Sequence, residues 1–132
     1  MAVPILKQGP YLIASIQAEL SDGDVLQLRD DLLERVGRFR SRGIIVDVTA
    51  LDVMDSFVSR SLRGIAQMTR LRGAETVIVG IQPEVAFAMV QLGMSFEDVS
   101  TALDLEEGLA FLNRRTEERF VETKPKRPSG RG

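Results

Sequence analysis

Hydrophobic and polar residues follow two periods along the chain. Short apolar runs at 3–7 and 11–16, separated by a Gly-Pro pair, predict an N-terminal β-hairpin. Two later runs, 44–48 and 76–81, are rich in β-branched residues and predict strands that are covered on both faces. Between these runs, apolar residues recur every third or fourth position, as on one face of a helix. The alternation predicts an α/β domain.

The first two helices have the clearest amphipathic pattern. Ser21 stands three residues before Asp24, which is the spacing of a capping box. The buried face of the first helix is predicted to be Val25, Leu28, Leu32, Val36 and Phe39. The buried face of the second is predicted to be Val58, Leu62, Ile65, Ala66 and Thr69, and this helix is expected to end before Gly73.

The remaining elements continue the alternation. Pro83 suits the first turn of a third helix, which we expect to close at Gly93. A short strand is predicted around 97–100, and Asp104 with Glu107 has capping spacing before a last helix that is expected to end near 119. Because parallel strands need crossover helices, we predict a small mixed, mostly parallel sheet flanked by about four helices.

Composition narrows the classes of function. The 132 residues are enough for one domain, and they include no cysteine and no histidine. This excludes disulfides, thiolate and imidazole metal ligands, and every nucleophile that a histidine activates. With no tryptophan and one tyrosine, a stacking platform for single-stranded nucleic acid is not expected.

Charge is distributed unevenly along the chain. Residues 1–121 carry thirteen basic and eighteen acidic groups, a balance that disfavours binding to nucleic acid. Residues 120–132 are basic and rich in proline and glycine, so we predict a domain at 1–119 followed by a disordered tail. No apolar run is long enough for a membrane span and no leader is evident, so we expect a cytoplasmic protein.

Candidate chemistry collects where the predicted parallel strands end. Asp52, Asp55 and Ser56 follow one strand, and Gln82 follows the next. Asp55 is the better helix cap, which leaves Ser56 in the first turn, near the positive end of the helix dipole. Arg60, one turn further on, is placed to pair with a phosphoryl group there. A serine at a helix start is nevertheless most often only structural.

Other chemistries are poorly supported. Asp52 and Asp55 lack a third ligand for a metal site, so neither a metal nor a cofactor is predicted. The only lysines are Lys7, Lys124 and Lys126, so the acidic pair and lysine of a receiver domain cannot be assembled, and no P-loop glycine run is present. We therefore predict that the chain is not an enzyme.

The segment 47–57, DVTALDVMDSF, resembles the phosphorylation-site signature of STAS domains, the fold of bacterial anti-sigma-factor antagonists. Four further motifs resemble the single-domain branch that builds the stressosome, a large signalling complex. They are SIQ at 15–17 with Glu19-Leu20, GIQP at 80–83, Leu92-Gly93, and TALDLE at 101–106.

This resemblance implies a scaffold that assembles as a homodimer and, with RsbR-type STAS proteins, as a large hetero-oligomer. It also implies capture of an RsbT-type serine kinase, release of that kinase on phosphorylation, and resetting by a metal-dependent serine phosphatase. Ser56 matches the phosphoacceptor, whereas Ser59 and Ser61 are left unassigned. The residues expected to contact partners are Asp52, Asp55, Phe57, Arg60 and Gln82.

Two alternatives stay open at this point. One keeps the fold but makes the chain an RsbV-type or SpoIIAA-type antagonist that binds an anti-sigma kinase directly; the motifs at 80–83 and 101–106 argue against it. The other is a small-ligand sensor that uses a crevice between Thr49 and Gln82.

Overall fold

A computed structural model of the chain describes residues 2–123, with side chains up to residue 118. One five-stranded sheet has the order β1-β2-β3-β4-β5. The strands are β1 Ile5–Gln8, β2 Tyr11–Ser15, β3 Gly43–Asp47, β4 Glu75–Val79 and β5 Ser100–Ala102. The helices are α1 Asp22–Phe39, α2 Ser56–Leu71, α3 Pro83–Gln91 and α4 Leu105–Thr123. This confirms the predicted α/β class with a small, mostly parallel sheet.

Strand pairing explains why one edge of the sheet collects the loops of interest. β1 is antiparallel to β2, and β2 through β5 are mutually parallel. Leu12 is level with Ile44, and Ile44 is level with Thr76, so the strands are in close register. The carboxyl ends of β2, β3, β4 and β5 therefore meet at the same side, which we call the carboxyl edge.

The sheet separates two apolar layers because successive side chains of a strand point to opposite faces. Leu12 and Ala14 face the layer that α1, α2 and α3 cover, whereas Tyr11 and Ile13 face α4. Leu112 of α4 is fully buried on that second face. The β3 and β4 strands contact helices on both sides, which accounts for the apolar runs 44–46 in β3 and 77–79 in β4.

The start of α1 is as predicted, but its end is not. Asp24 N donates to Ser21 Oγ at 3.1 Å and Ser21 N donates to Asp24 Oδ2 at 3.0 Å, which confirms the capping box. Phe39, predicted to be in the core, is 39% exposed. It is the last residue of α1, beyond the sheet's cover, and its ring lies against the Arg38 guanidinium at 4.6 Å.

The C-terminal half differs from prediction in two boundaries. β5 begins at Ser100 rather than around 97, because residues 96–99 form a turn and Ser100 pairs with Val77. α4 runs to Thr123, four residues beyond its predicted end, so the predicted boundary between 119 and 120 falls inside this helix. The predicted tail lies outside the described residues from 124 onward, and the domain division stays a prediction.

Asp104 caps α4 as expected, with Glu107 N donating to Asp104 Oδ1 at 2.9 Å. Glu107 Oε2 accepts from Leu103 N at 3.2 Å, one residue earlier than in a standard capping box. Within residues 2–123, no helix combines the length and apolar character that crossing a membrane requires.

Candidate functional site at the carboxyl edge

Two apolar side chains anchor the loop between β3 and α2 in the core. Leu51 and Met54 are buried, and Leu51 N donates to Val48 O at 2.9 Å in a tight turn. Asp52 and Val53 point outward, and Val53 is 58% exposed. The loop is thus anchored in the core by Leu51 and Met54, while Asp52 and Val53 are exposed to solvent.

A set of contacts that we call the loop clasp joins this loop to the one after β4. Asp47 Oδ1 accepts from Thr49 N at 2.9 Å and from Thr49 Oγ1 at 2.6 Å. Gln82 Nε2 donates to Thr49 O at 2.6 Å. Gly80 has φ +81°, and a Cβ there would collide with the Thr49 side chain. The clasp explains why glycine precedes Ile81-Gln82 in this loop.

Ser56 is the first residue of α2, and its side chain is exposed. Asp55 takes the cap position, with extended backbone, and its Oδ1 accepts from Val58 N at 2.8 Å. Ser59 N donates to Asp55 O at 3.0 Å as the first helical bond. The predicted division between a capping aspartate and a first-turn serine is confirmed, and the Ser56 hydroxyl is accessible at the positive end of the helix.

The other predicted contact residues differ in exposure. Asp52 and Arg60 are exposed, whereas Phe57 is half-buried and packs against the core below α2. Among the described side chains, Arg60 forms no ion pair, so its guanidinium is available one turn from Ser56. Gln82 is half-buried and already uses its amide N–H in the clasp. The roles of these residues as partner contacts stay predictions.

The two neighbouring serines are less accessible than Ser56. Ser59 is 2% exposed, since it lies on the buried side of α2 with Val58 and Leu62. Ser61 is half-buried. Only Ser56, of these three hydroxyls, stands on the open surface of the carboxyl edge.

The crevice considered for a small ligand is occupied by the protein itself. The Gln82 amide spans it to reach Thr49 O, and the backbone of Gly80 packs against the Thr49 side chain. The described residues contain no group of three or more histidine, cysteine, aspartate or glutamate side chains that could hold a metal ion.

Comparison with known proteins identifies the family. The STAS domain family matches residues 2–108, most of the chain. The chain belongs to the STAS family. Two solved STAS structures, each 35% identical to it, extend this match. An RsbS variant from Moorella thermoacetica, in which glutamate replaces a serine, covers 87% of this chain and 97% of its own, with a TM-score of 0.75.

The second structure is a chain of the stressosome, described as a signal integration and transduction hub. It covers 86% of this chain and 98% of its own, with a TM-score of 0.70. The RsbT co-antagonist protein RsbRA of Bacillus subtilis is 30% identical over 95 residues, 72% of this chain. That match covers 35% of RsbRA, and this chain spans about a third of the length of each of the four RsbR-type relatives it matches. The chain is an RsbS-like STAS protein.

One feature of this STAS site was not predicted from the sequence. A cleft beside Asp55 is lined by Glu19 and by the apolar side chains Leu20, Leu51, Val53 and Val58. Glu19 and Leu20 lie after β2, far from Asp55 in sequence, and reach the site because β2 pairs in parallel with β3. The sequence feature that could have identified Glu19 and Leu20 is their position just after β2, a strand that ends at the same carboxyl edge.

Proposed function

We propose that this chain is a stressosome scaffold that sequesters an RsbT-type serine kinase and releases it when Ser56 is phosphorylated. The observation that carries the proposal is the exposed Ser56 hydroxyl at the start of α2, within a segment that resembles the STAS phosphorylation signature. The released kinase then activates a stress-response pathway. A metal-dependent serine phosphatase removes the phosphate and restores the Ser56 hydroxyl.

The relatives of the chain support the scaffold role. Nearly the full length of RsbS and of the stressosome chain is matched by this chain, whereas only a third of RsbRA is matched. We therefore propose that the chain takes the place of RsbS in an assembly with RsbR-type STAS proteins. The name of RsbRA, a co-antagonist of RsbT, makes a kinase of that type the natural partner of the assembly.

The proposed switch is electrostatic. Phosphorylation replaces a neutral hydroxyl by about −1.5 to −2 charges and adds strong acceptor oxygens. This charge forms beside the exposed carboxylates of Asp52 and Asp55. In water, the helix N-terminus and Arg60 stabilise it, but in a desolvated kinase interface it is costly unless paired. Binding therefore weakens without any change of fold.

The chain acts in this scheme by binding rather than by catalysis, which accords with a STAS family of anti-sigma antagonists and scaffolds. It uses no cofactor of its own, and the ATP that donates the phosphoryl group is bound by the kinase. We place the assembly in the cytoplasm, where the kinase and the phosphatase are expected to act.

The direct experiment is incubation with the RsbT-type kinase and ATP, followed by peptide mass spectrometry. We expect one phosphate on the peptide containing Ser56, and none after Ser56→Ala. Ser59→Ala is the matched control, because Ser59 is buried one turn away and its loss leaves the acceptor in place. Phosphate on another residue, with Ser56 unmodified, would contradict the proposal.

Assembly is tested separately by sizing the protein with and without an RsbR-type partner. The scaffold role predicts a complex of megadalton size only in the mixture. A protein that captures an anti-sigma kinase yet forms no large complex would instead be an antagonist of the RsbV type.

A further inference from the structure

The edge of the sheet opposite the carboxyl edge, where β2 to β5 begin, is rich in exposed cations. We call it the amino edge. Backbone hydrogen bonds join its turns, since Arg42 N donates to Pro10 O at 2.7 Å and Glu75 N donates to Arg42 O at 3.0 Å. The exposed basic side chains on and beside these turns form what we call the amino-edge patch: Lys7, Arg38, Arg40, Arg42 and Arg72.

Most of the charge in the amino-edge patch is not neutralised by neighbouring side chains. Arg38 pairs with Glu34 at 3.5 Å, but the other four cations form no ion pair with any described side chain. The carboxyl edge, by contrast, exposes carboxylates that include Asp52 and Asp55. The two edges therefore differ in charge, and they lie about 15 Å apart along a five-residue strand.

Gly37 makes room for one of the arginines. It lies in the last turn of α1, where glycine is less favourable than alanine because of its backbone freedom. A Cβ at Gly37 would lie 2.6 Å from Arg72 Nη2, so the missing side chain lets this guanidinium lie directly on α1. Arg72, at the end of α2, is thereby held beside the end of α1.

Arg40 also occupies a position that costs stability. It caps the end of α1 with φ +52°, and it is the single non-glycine residue with positive φ among the described residues. Glycine is the usual residue in this conformation. The cost for any other residue is at least as large as the gain from a positive charge at a helix end. Helix stability therefore does not account for an arginine at position 40.

An exposed aromatic ring lies within the patch. The Arg38 guanidinium is 4.6 Å and the Lys7 ammonium 5.7 Å from the ring centroid of Phe39, which is 39% exposed. The ring adds an apolar contact surface beside two cations. This combination suits a ligand that carries both negative charge and an apolar group.

We propose that the amino-edge patch binds an acidic peptide segment of a partner protein, with carboxylates on its arginines and an apolar side chain against Phe39. A guanidinium can hold a carboxylate by two parallel hydrogen bonds. A short segment fits, because the acidic carboxyl edge lies beyond the screening length of roughly 8 Å at physiological salt. A nucleic acid is disfavoured, because it would extend over the rest of the chain, where acidic groups outnumber basic ones.

Fluorescence anisotropy of the full chain with a labelled peptide tests the proposal. The probe is an octapeptide of glutamate with one central phenylalanine. We expect a dissociation constant of the order of 100 μM at low salt, and a loss of at least about ten-fold in about 0.5 M salt. An octapeptide of glutamate alone is expected to bind about three-fold more weakly, since it has no side chain to pack on Phe39.

Arg40→Gly separates binding from stability. Glycine relieves the left-handed backbone, so the unfolding temperature does not fall, whereas loss of the charge is expected to weaken peptide binding about five-fold. Adding Arg72→Gln is expected to bring the loss to about twenty-fold. Lys124→Gln with Lys126→Gln is the matched control. It removes two charges from the sequence after α4, leaves the patch intact and is expected to change binding less than about two-fold.

Gly37→Ala tests how Arg72 is held. The added Cβ displaces the Arg72 guanidinium, while alanine suits a helix interior. We expect peptide binding to weaken about two-fold with no loss of thermal stability.

An octapeptide that does not bind at millimolar protein overturns the proposal, as does binding that Arg40→Gly with Arg72→Gln leaves unchanged. Binding that only the lysine control reduces overturns it as well. A single-stranded oligonucleotide of equal charge that binds more tightly than the peptide, and loses affinity in the arginine variant, would assign the patch to nucleic acid instead.

The patch is independent of the proposed kinase switch, which acts at the opposite edge. Phosphorylation of Ser56 and release of the kinase are expected to be unaltered in Arg40→Gly with Arg72→Gln. Failure of peptide binding and failure of the kinase switch are thus separate results.

Discussion

Ser21 and Ser56 both lie at the start of a helix, but they differ by one position relative to the helix cap. This difference gives their hydroxyls different roles. Ser21 is the cap of α1, where its Oγ accepts from Asp24 N at 3.1 Å. Ser56 stands one place further along its helix, because Asp55 has taken the cap of α2. The Ser21 hydroxyl is part of the structure, whereas the start of α2 does not depend on the Ser56 hydroxyl.

The surroundings of the two sites differ as well. The start of α1 is stabilised locally, by a reciprocal pair of bonds between Ser21 and Asp24. The start of α2 follows a loop that is held through Thr49 by Gln82, a residue 33 positions away. The proposed phosphorylation requires a hydroxyl that makes no structural bond and lies on a well-held loop. Of these two serines, Ser56 meets both conditions.

The largest expected effect separates the two serines in kinase binding. Ser56→Asp places a charge at the proposed interface and is expected to weaken kinase capture about a hundred-fold, equivalent to about 3 kcal/mol. Ser21→Asp is the matched control, since aspartate caps a helix as well as serine does. Pull-down titrations measure both. Equal capture by Ser56→Asp and wild type would remove the switch.

The next effect tests how the α2 loop is held. Gly80→Ala adds a Cβ that collides with Thr49 at φ +81°, and is expected to destabilise the fold by about 3 kcal/mol. Gly93→Ala has a similar φ, +71°, with open space around it, and is expected to cost about 1 kcal/mol. Urea unfolding gives both values. Equal losses would mean that the Gly80–Thr49 contact contributes nothing.

A smaller effect compares the two caps directly. Asp55→Ala and Ser21→Ala each remove a side-chain acceptor from a helix start, so each is expected to lower the free energy of unfolding by about 1 kcal/mol. Asp55→Asn keeps an acceptor and serves as the control. The two losses should add in the double variant, because the sites have separate partners.

The smallest effect is predicted for the serine that does not cap. Ser56→Ala should change the free energy of unfolding by less than about 0.5 kcal/mol, since Ser56 is exposed and Asp55 makes the cap bond. Chemical denaturation beside Ser21→Ala is the measurement. A loss for Ser56→Ala as large as that for Ser21→Ala would show that the two hydroxyls are equivalent after all.

The sequence by itself determined the fold class, the capping of α1, α2 and α4, and the first-turn position of Ser56. These features depend on residues within one or two helical turns, so periodicity and capping chemistry reveal them. The limits of the core and of β5 were predicted less accurately. Phe39 is exposed at the end of α1, and β5 begins where its pairing with β4 begins.

Only the tertiary structure decided which hydroxyl is exposed and what fills the crevice. Ser56 and Ser59 are three residues apart, yet the packing of α2 on the sheet exposes one and buries the other. Thr49 meets Gly80 and Gln82 because two parallel strands end side by side. Such contacts join segments that are distant in sequence, and local sequence patterns do not indicate where those segments meet.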